Sequence, residues 1–91
     1  MSLDESARPR LPRHVKLRFD PRREAWVLLA PERVLMPDEI AVAILQRCTG
    51  EASVAEIIDA LAGEYDAPRG EIAGDVLAML QELAAQGVIE H

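Results

Sequence analysis

The stretch Trp26–Leu35, WVLLAPERVL, decides the fold. Trp26-Val27-Leu28-Leu29 is strand-like, Pro31 interrupts it, and Arg33-Val34-Leu35-Met36 resumes it. A proline cannot donate to a ladder and is confined to edges and turns, so Pro31 ends one strand and a second, short one follows, closed by Pro37. Upstream, His14 to Asp20 alternates cleanly: Val15, Leu17 and Phe19 fall on one face, His14, Lys16, Arg18 and Asp20 on the other. That is the period of a half-buried strand with a wet face. Asp20-Pro21-Arg22-Arg23 is a turn, because proline presets φ at its second position and aspartate caps it. Glu24 to Ala30 then pairs back, with Ala25, Val27 and Leu29 on one face and Trp26 and Leu28 on the other.

Beyond Pro37 the period becomes helical. Asp38 caps a first helix in which Ala41, Ile44, Leu45 and Cys48 share one stripe. Gly50 stops it. Ser53 and Glu56 form a capping box for a second helix, with Val54, Ile57, Ile58 and Leu61 inward. Pro68 opens a third helix that runs to about Gln86 and stops at Gly87, leaving Val88 and Ile89 as a terminal strand or a packed tail. On the third helix Ile72, Val76, Met79, Leu80 and Leu83 cluster, and Ala73, Leu77 and Ala84 widen the apolar arc to roughly 160°. Either this helix serves two surfaces, a core and a groove, or it packs centrally between the sheet and the other helices. Residues 1–12, with Pro9 and Pro12 among charged and small side chains, read as a mobile arm ahead of a single domain over 13–91.

Ninety-one residues make one domain with a modest core of Ala, Leu, Val and Ile. A single cysteine, Cys48, excludes an internal disulfide and fits a reducing cytoplasm. The first twelve residues hold no apolar segment of a signal peptide, and no apolar run approaches the ~20 residues that span a bilayer. Net charge is −6 but unevenly placed: residues 1–23 hold seven cations against three acids, and residues 24–91 three cations against thirteen acids. Such a basic arm on an acidic body either steers two differently charged partners or simply carries charge for solubility.

Residue types that carry chemistry are sparse. His14 and His91 stand alone, with no Cys or carboxylate at metal-ligand spacing, so neither a metal nor a cofactor is expected. Cys48 lies on an apolar stripe with no basic neighbour to activate it. No Gly-rich loop precedes a helix. The expectation is a protein that is not an enzyme. Three strands followed by a helix-turn-helix is the order of winged-helix DNA binders, yet the second and third helices carry only Arg69 against Glu56, Asp59, Glu64, Glu71, Asp75 and Glu82. Helices of that sign are repelled by phosphate, so nucleic acid is not the expected partner.

Trp26 to Arg33, Ala41-Ile44-Leu45 with Gly50, Ala55-Glu56-Ile57 with Leu61, and Asp75-Val76 with Leu80 and Leu83 occur here in one order and spacing. In these motifs, from about Arg8 to Ile89, the chain resembles pyrroloquinoline quinone biosynthesis protein D, a peptide-recognition element of modified-peptide pathways. The resemblance implies an α+β, winged helix-turn-helix-like fold, a three-stranded antiparallel sheet packed on three helices. It implies a peptide chaperone that binds the precursor peptide and presents it to a radical S-adenosylmethionine enzyme, which links a glutamate to a tyrosine in it. Carried onto this sequence, the peptide would add a strand beside Glu32, Arg33, Val34, Leu35 and Met36, against a helix face drawn from Ala73, Val76, Leu77, Leu80 and Ala84.

A bracketed edge strand with unpaired backbone groups suits that role on physical grounds alone. Trp26 and Leu28 are candidates for a further contact, either with the radical enzyme or in a homodimer, unless they belong to the core. The competing reading is an acidic winged-helix protein–protein adaptor or oligomerisation module outside that pathway.

Overall fold

A computed structural model describes residues 3–91. Strands β1 (Lys16–Asp20), β2 (Ala25–Ala30) and β3 (Arg33–Leu35) form an antiparallel sheet in the order β1-β2-β3. Helices α1 (Glu39–Gln46), α2 (Val54–Tyr65) and α3 (Arg69–Ala85) follow. The element order is the expected one, with shifted ends. β1 starts at Lys16 rather than His14, and α1 stops at Gln46, so Cys48 lies beyond the helix, buried, with its thiol donating to the Ile44 carbonyl at 3.3 Å. Glu24 adopts φ 52° in the turn, which keeps it out of β2.

The register sets Leu17 opposite Leu28 and Leu28 opposite Leu35. These three share the face that packs on the helices, where Leu28 keeps only 1% of its surface exposed. Phe19 stands opposite Trp26 on the same face but at the turn end of the hairpin, outside the core cluster. It is therefore half exposed (50%), with its ring edge-on to Trp26 at 5.7 Å and 72°, not buried as the alternation suggests. Ile44, Leu45, Val54, Ile57, Ile58, Leu61, Val76, Leu80 and Val88 complete the core with Leu28. Val88 and Ile89 are a packed tail, held by the Val88 N–H donating to the Leu83 carbonyl at 3.1 Å and by a bridge between Glu90 and Arg10.

The starts of α1 and α2 are built as their caps foretell. Asp38 accepts from the Ala41 N–H at 2.8 Å. Ser53 Oγ accepts from the Glu56 N–H at 3.2 Å, and Glu56 accepts in return from the Ser53 N–H at 2.9 Å. That backbone donor, helped by the Ser53 side chain, holds the Glu56 carboxyl below the ordinary glutamate range.

Residues 3–12 overturn the mobile-arm expectation; the first two residues lie outside the described ones. A helix leaves its first N–H groups without internal partners. In α2 the arm fills that need: Val54 N–H donates to the Ala7 carbonyl at 2.9 Å and Ala55 N–H to the Glu5 carbonyl at 3.0 Å. Gly50 N–H donates to the Pro9 carbonyl, and Arg10 exchanges two backbone bonds with Glu90, all at 2.9 Å. Leu3 and Pro9 are buried, and Arg69 pairs at 2.6 Å with both Glu5 and Asp59. Proline and charge make this segment look loose in sequence, but the docking is carried by main-chain carbonyls.

Candidate functional site

Among the described residues β3 has a neighbour on one side only, so its other edge is open. The two-residue turn Pro31–Glu32 joins it to β2, with Glu32 at φ 63°, the left-handed conformation such a turn needs at its second central residue. Across a two-residue turn the flanking residues, here Ala30 and Arg33, exchange both backbone bonds, and bonding alternates along the ladder from there. Arg33 and Leu35 therefore bond to Ala30 and Leu28. Val34 directs its N–H and C=O to the open edge. Its side chain is 54% exposed and that of Met36 53%, while Leu35 turns inward against the core cluster.

Beneath this edge lies a cleft of about 290 Å³. Leu28 and Leu35 form its sheet side, Met36 and Pro37 its lip, and Met79, Glu82, Leu83 and Gln86 its α3 wall. The wall residues follow the i, i+3, i+4, i+7 spacing of one helix face. The Arg33 guanidinium donates to the Gln86 carbonyl, tying β3 to the last turn of α3. Arg23 approaches the Met36 sulfur at 3.5 Å. The inner surface is apolar, with the carboxylates of Asp38 and Glu82 also on its lining. An extended chain at the edge would meet backbone partners along β3 and apolar surface below it.

The strand half of the expected site, Glu32 to Met36, is thus assembled at an open edge. The helix half is divided between core and flank. Val76 and Leu80 are 1% and 0% exposed and belong to the core, so neither presents a side chain at the surface for an edge-bound strand. Ala73, Leu77 and Ala84 are partly buried against the core on the other flank of α3 and do not line this cleft. The apolar arc was real, but the cleft opens on its Met79 side, where Glu82 and Gln86 dilute the hydrophobic signal. Their spacing from Met79 was the available clue. Leu28 keeps 1% of its surface exposed and lies at the floor of this cleft, so it offers no face to a second partner. Trp26 is half-buried and lines a separate cleft of about 420 Å³ with Pro37, Val42, Ala43, Glu64 and Tyr65.

Burial pushes the Cys48 thiol up to about 12, which leaves it protonated and unreactive at neutral pH. Among the described residues no helix is long and apolar enough to cross a membrane.

The family model for coenzyme PQQ synthesis protein D (PqqD) matches residues 25–89. The chain belongs to the PqqD family. The matched span runs from the first residue of β2 to the buried tail, so both walls of the cleft lie within it. A PqqA binding protein of Rhodopseudomonas palustris (strain HaA2) is 62% identical over 89 residues, covering 98% of this chain and 87% of that one. The solution structure of the PqqD truncation of Methylobacterium extorquens PqqCD, described as a functional and stand-alone recognition element for ribosomally synthesized, post-translationally modified peptides, is 44% identical. It superposes with a TM-score of 0.84 over 99% of this chain and 96% of that one. The crystal structure of PqqD from Xanthomonas campestris is 38% identical, with a TM-score of 0.63 over 99% and 100% of the two chains.

Proposed function

We propose that this protein binds the precursor peptide of pyrroloquinoline quinone as an added strand on β3 and presents it to the radical S-adenosylmethionine enzyme of that pathway. The observation that carries the reading is the cleft between the open β3 edge and the Met79–Gln86 face of α3. Membership of the PqqD family and similarity to PqqA binding proteins support the choice of peptide. Backbone bonds at Val34 supply affinity that is indifferent to sequence, and alternate peptide side chains entering the cleft supply selectivity. Holding the peptide extended removes much of its freedom before the enzyme meets it and raises its local concentration there. The protein's own part is binding, not catalysis, and the inert state of Cys48, its one thiol, supports that.

Enzyme docking is assigned to the Phe19–Trp26 pair, the apolar patch that remains once Leu28 is placed in the core. Isothermal titration with the synthetic precursor peptide tests the central step. Met79→Asp should weaken binding about tenfold or more, since a charge would enter the apolar wall. Wild-type affinity in a folded Met79→Asp protein would remove α3 from the site.

A further inference from the structure

The α3 stripe that walls the cleft beside β3 continues beyond Met79. Toward the start of α3, Ile72, Asp75 and Val76 continue the same helical stripe and line a second, smaller recess of about 140 Å³. Leu61 and Tyr65 of α2 and Ile40 of α1 close its other sides. Ile40 follows Pro37 and Asp38, which line the first cleft, and Asp75 and Val76 lie one turn before Met79, so the two linings neighbour one another on both α1 and α3. Leu61 and Val76 are buried, whereas Ile40 and Tyr65 remain 48% and 40% exposed, large apolar groups that the fold itself leaves uncovered.

We propose that this recess is a specificity pocket for one aromatic or large aliphatic side chain of the bound peptide. The proposal rests on the strand-addition reading and extends it. Three observations select that occupant. The lining is apolar apart from the Asp75 carboxylate and the Tyr65 hydroxyl, so water gains little by filling it. Its size, about 140 Å³, is close to the ~150 Å³ that admits a benzene ring. Its α3 lining continues the stripe that walls the β3 cleft. From the centre of the first recess to that of the second, about eight residues of α3 intervene, roughly 12 Å at the helical rise. An extended peptide covers that distance in about four residues. The pocket therefore reads a side chain about four positions away from those that pair with β3. Asp75, exposed beside the pocket, offers an acceptor to an aromatic ring that carries a donor.

The test is a mutant cycle with the synthetic precursor peptide, each apolar residue of which is replaced by alanine in turn. Partners are the wild-type protein, Ile40→Asp, Tyr65→Ala and Val34→Pro. Ile40 and Tyr65 are exposed, so both variants are expected to fold. One peptide position should cost about tenfold on the wild-type protein and less than about threefold on Ile40→Asp and Tyr65→Ala, as expected when a contact is already lost. If every peptide position costs the same on all proteins while Val34→Pro still weakens binding, the pocket is overturned and strand addition stands. If one position couples to the pocket but Val34→Pro binds normally, the pocket stands and strand addition is overturned. If neither effect appears, both are overturned.

Discussion

Proline at position 34 and proline at position 35 should behave as opposites, because the β2–β3 hairpin points successive backbone groups in opposite directions. Val34 aims its N–H at the open edge, so Val34→Pro removes no bond within the protein. Arg33 is already in a strand, the conformation that a following proline favours. Stability should therefore fall by no more than about 1 kcal/mol, or roughly 4–8 °C in Tm for a domain of this size. Peptide binding loses a donor, and the carbonyl it would have met is left unsatisfied at a cost of about 1–3 kcal/mol. That corresponds to a roughly 5- to 150-fold rise in Kd.

Leu35→Pro does the reverse. It breaks the bond to Leu28 and removes an inward-facing leucine from the core, together about 3 kcal/mol, so Tm should fall by more than about 10 °C. Thermal melts followed by circular dichroism, with calorimetric titration of the precursor peptide, read both quantities, and Val34→Ala controls for the lost side chain. Unchanged Kd for a folded Val34→Pro protein would refute strand addition at this edge. A melt for Leu35→Pro like that of the wild type would refute the assigned register.

Other consequences are as direct. Deleting residues 1–9 removes three carbonyl acceptors, at Glu5, Ala7 and Pro9, and the buried Leu3, about 4 kcal/mol in all, and should lower Tm by roughly 15 °C or more; an unchanged melt would show the arm to be dispensable. Leu80→Asp should unfold the protein by placing a charge at a fully buried position, whereas neighbouring Met79→Asp should keep the fold and lose peptide, a contrast read by one-dimensional NMR and titration. Cys48 should resist a thiol reagent at pH 8 until the protein unfolds. Its raised thiol value stabilises the fold fully below the unfolded value near ~8.5 and loses that contribution as pH climbs toward about 12, so Tm should decline over that window more in the wild type than in Cys48→Ala. Trp26→Ala should weaken capture of the peptide-modifying enzyme while leaving precursor affinity within about twofold, the reverse pattern placing Trp26 in the peptide site.

Local signals carried most of the architecture. Pro31 and Pro37 bracket β3, Asp38 and Ser53 make the bonds that their positions foretell, and the alternation in β1 and β2 places Leu17 and Leu28 on one face. What hydrophobicity could not decide was which flank of α3 opens. Ala73, Leu77 and Ala84 look more like a binding face than Met79, Glu82 and Gln86, because a groove shared with water is mixed in character while packed flanks are apolar. The arm looks loose in sequence for a related reason. Its anchors are main-chain carbonyls that meet the empty donors of α2, and a carbonyl leaves no trace in residue type. Phe19 followed its face correctly, but a period cannot report that the helical layer stops short of the turn.

The most direct test of the central claim is an NMR titration of the isotope-labelled protein with the synthetic precursor peptide. Shifts should concentrate in Glu32 to Met36 and at Met79, Glu82, Leu83 and Gln86, with Val34 N–H moving downfield as it gains a partner. A spectrum unchanged at high peptide excess, or shifts confined to Ala73, Leu77 and Ala84, would contradict peptide addition at the β3 edge.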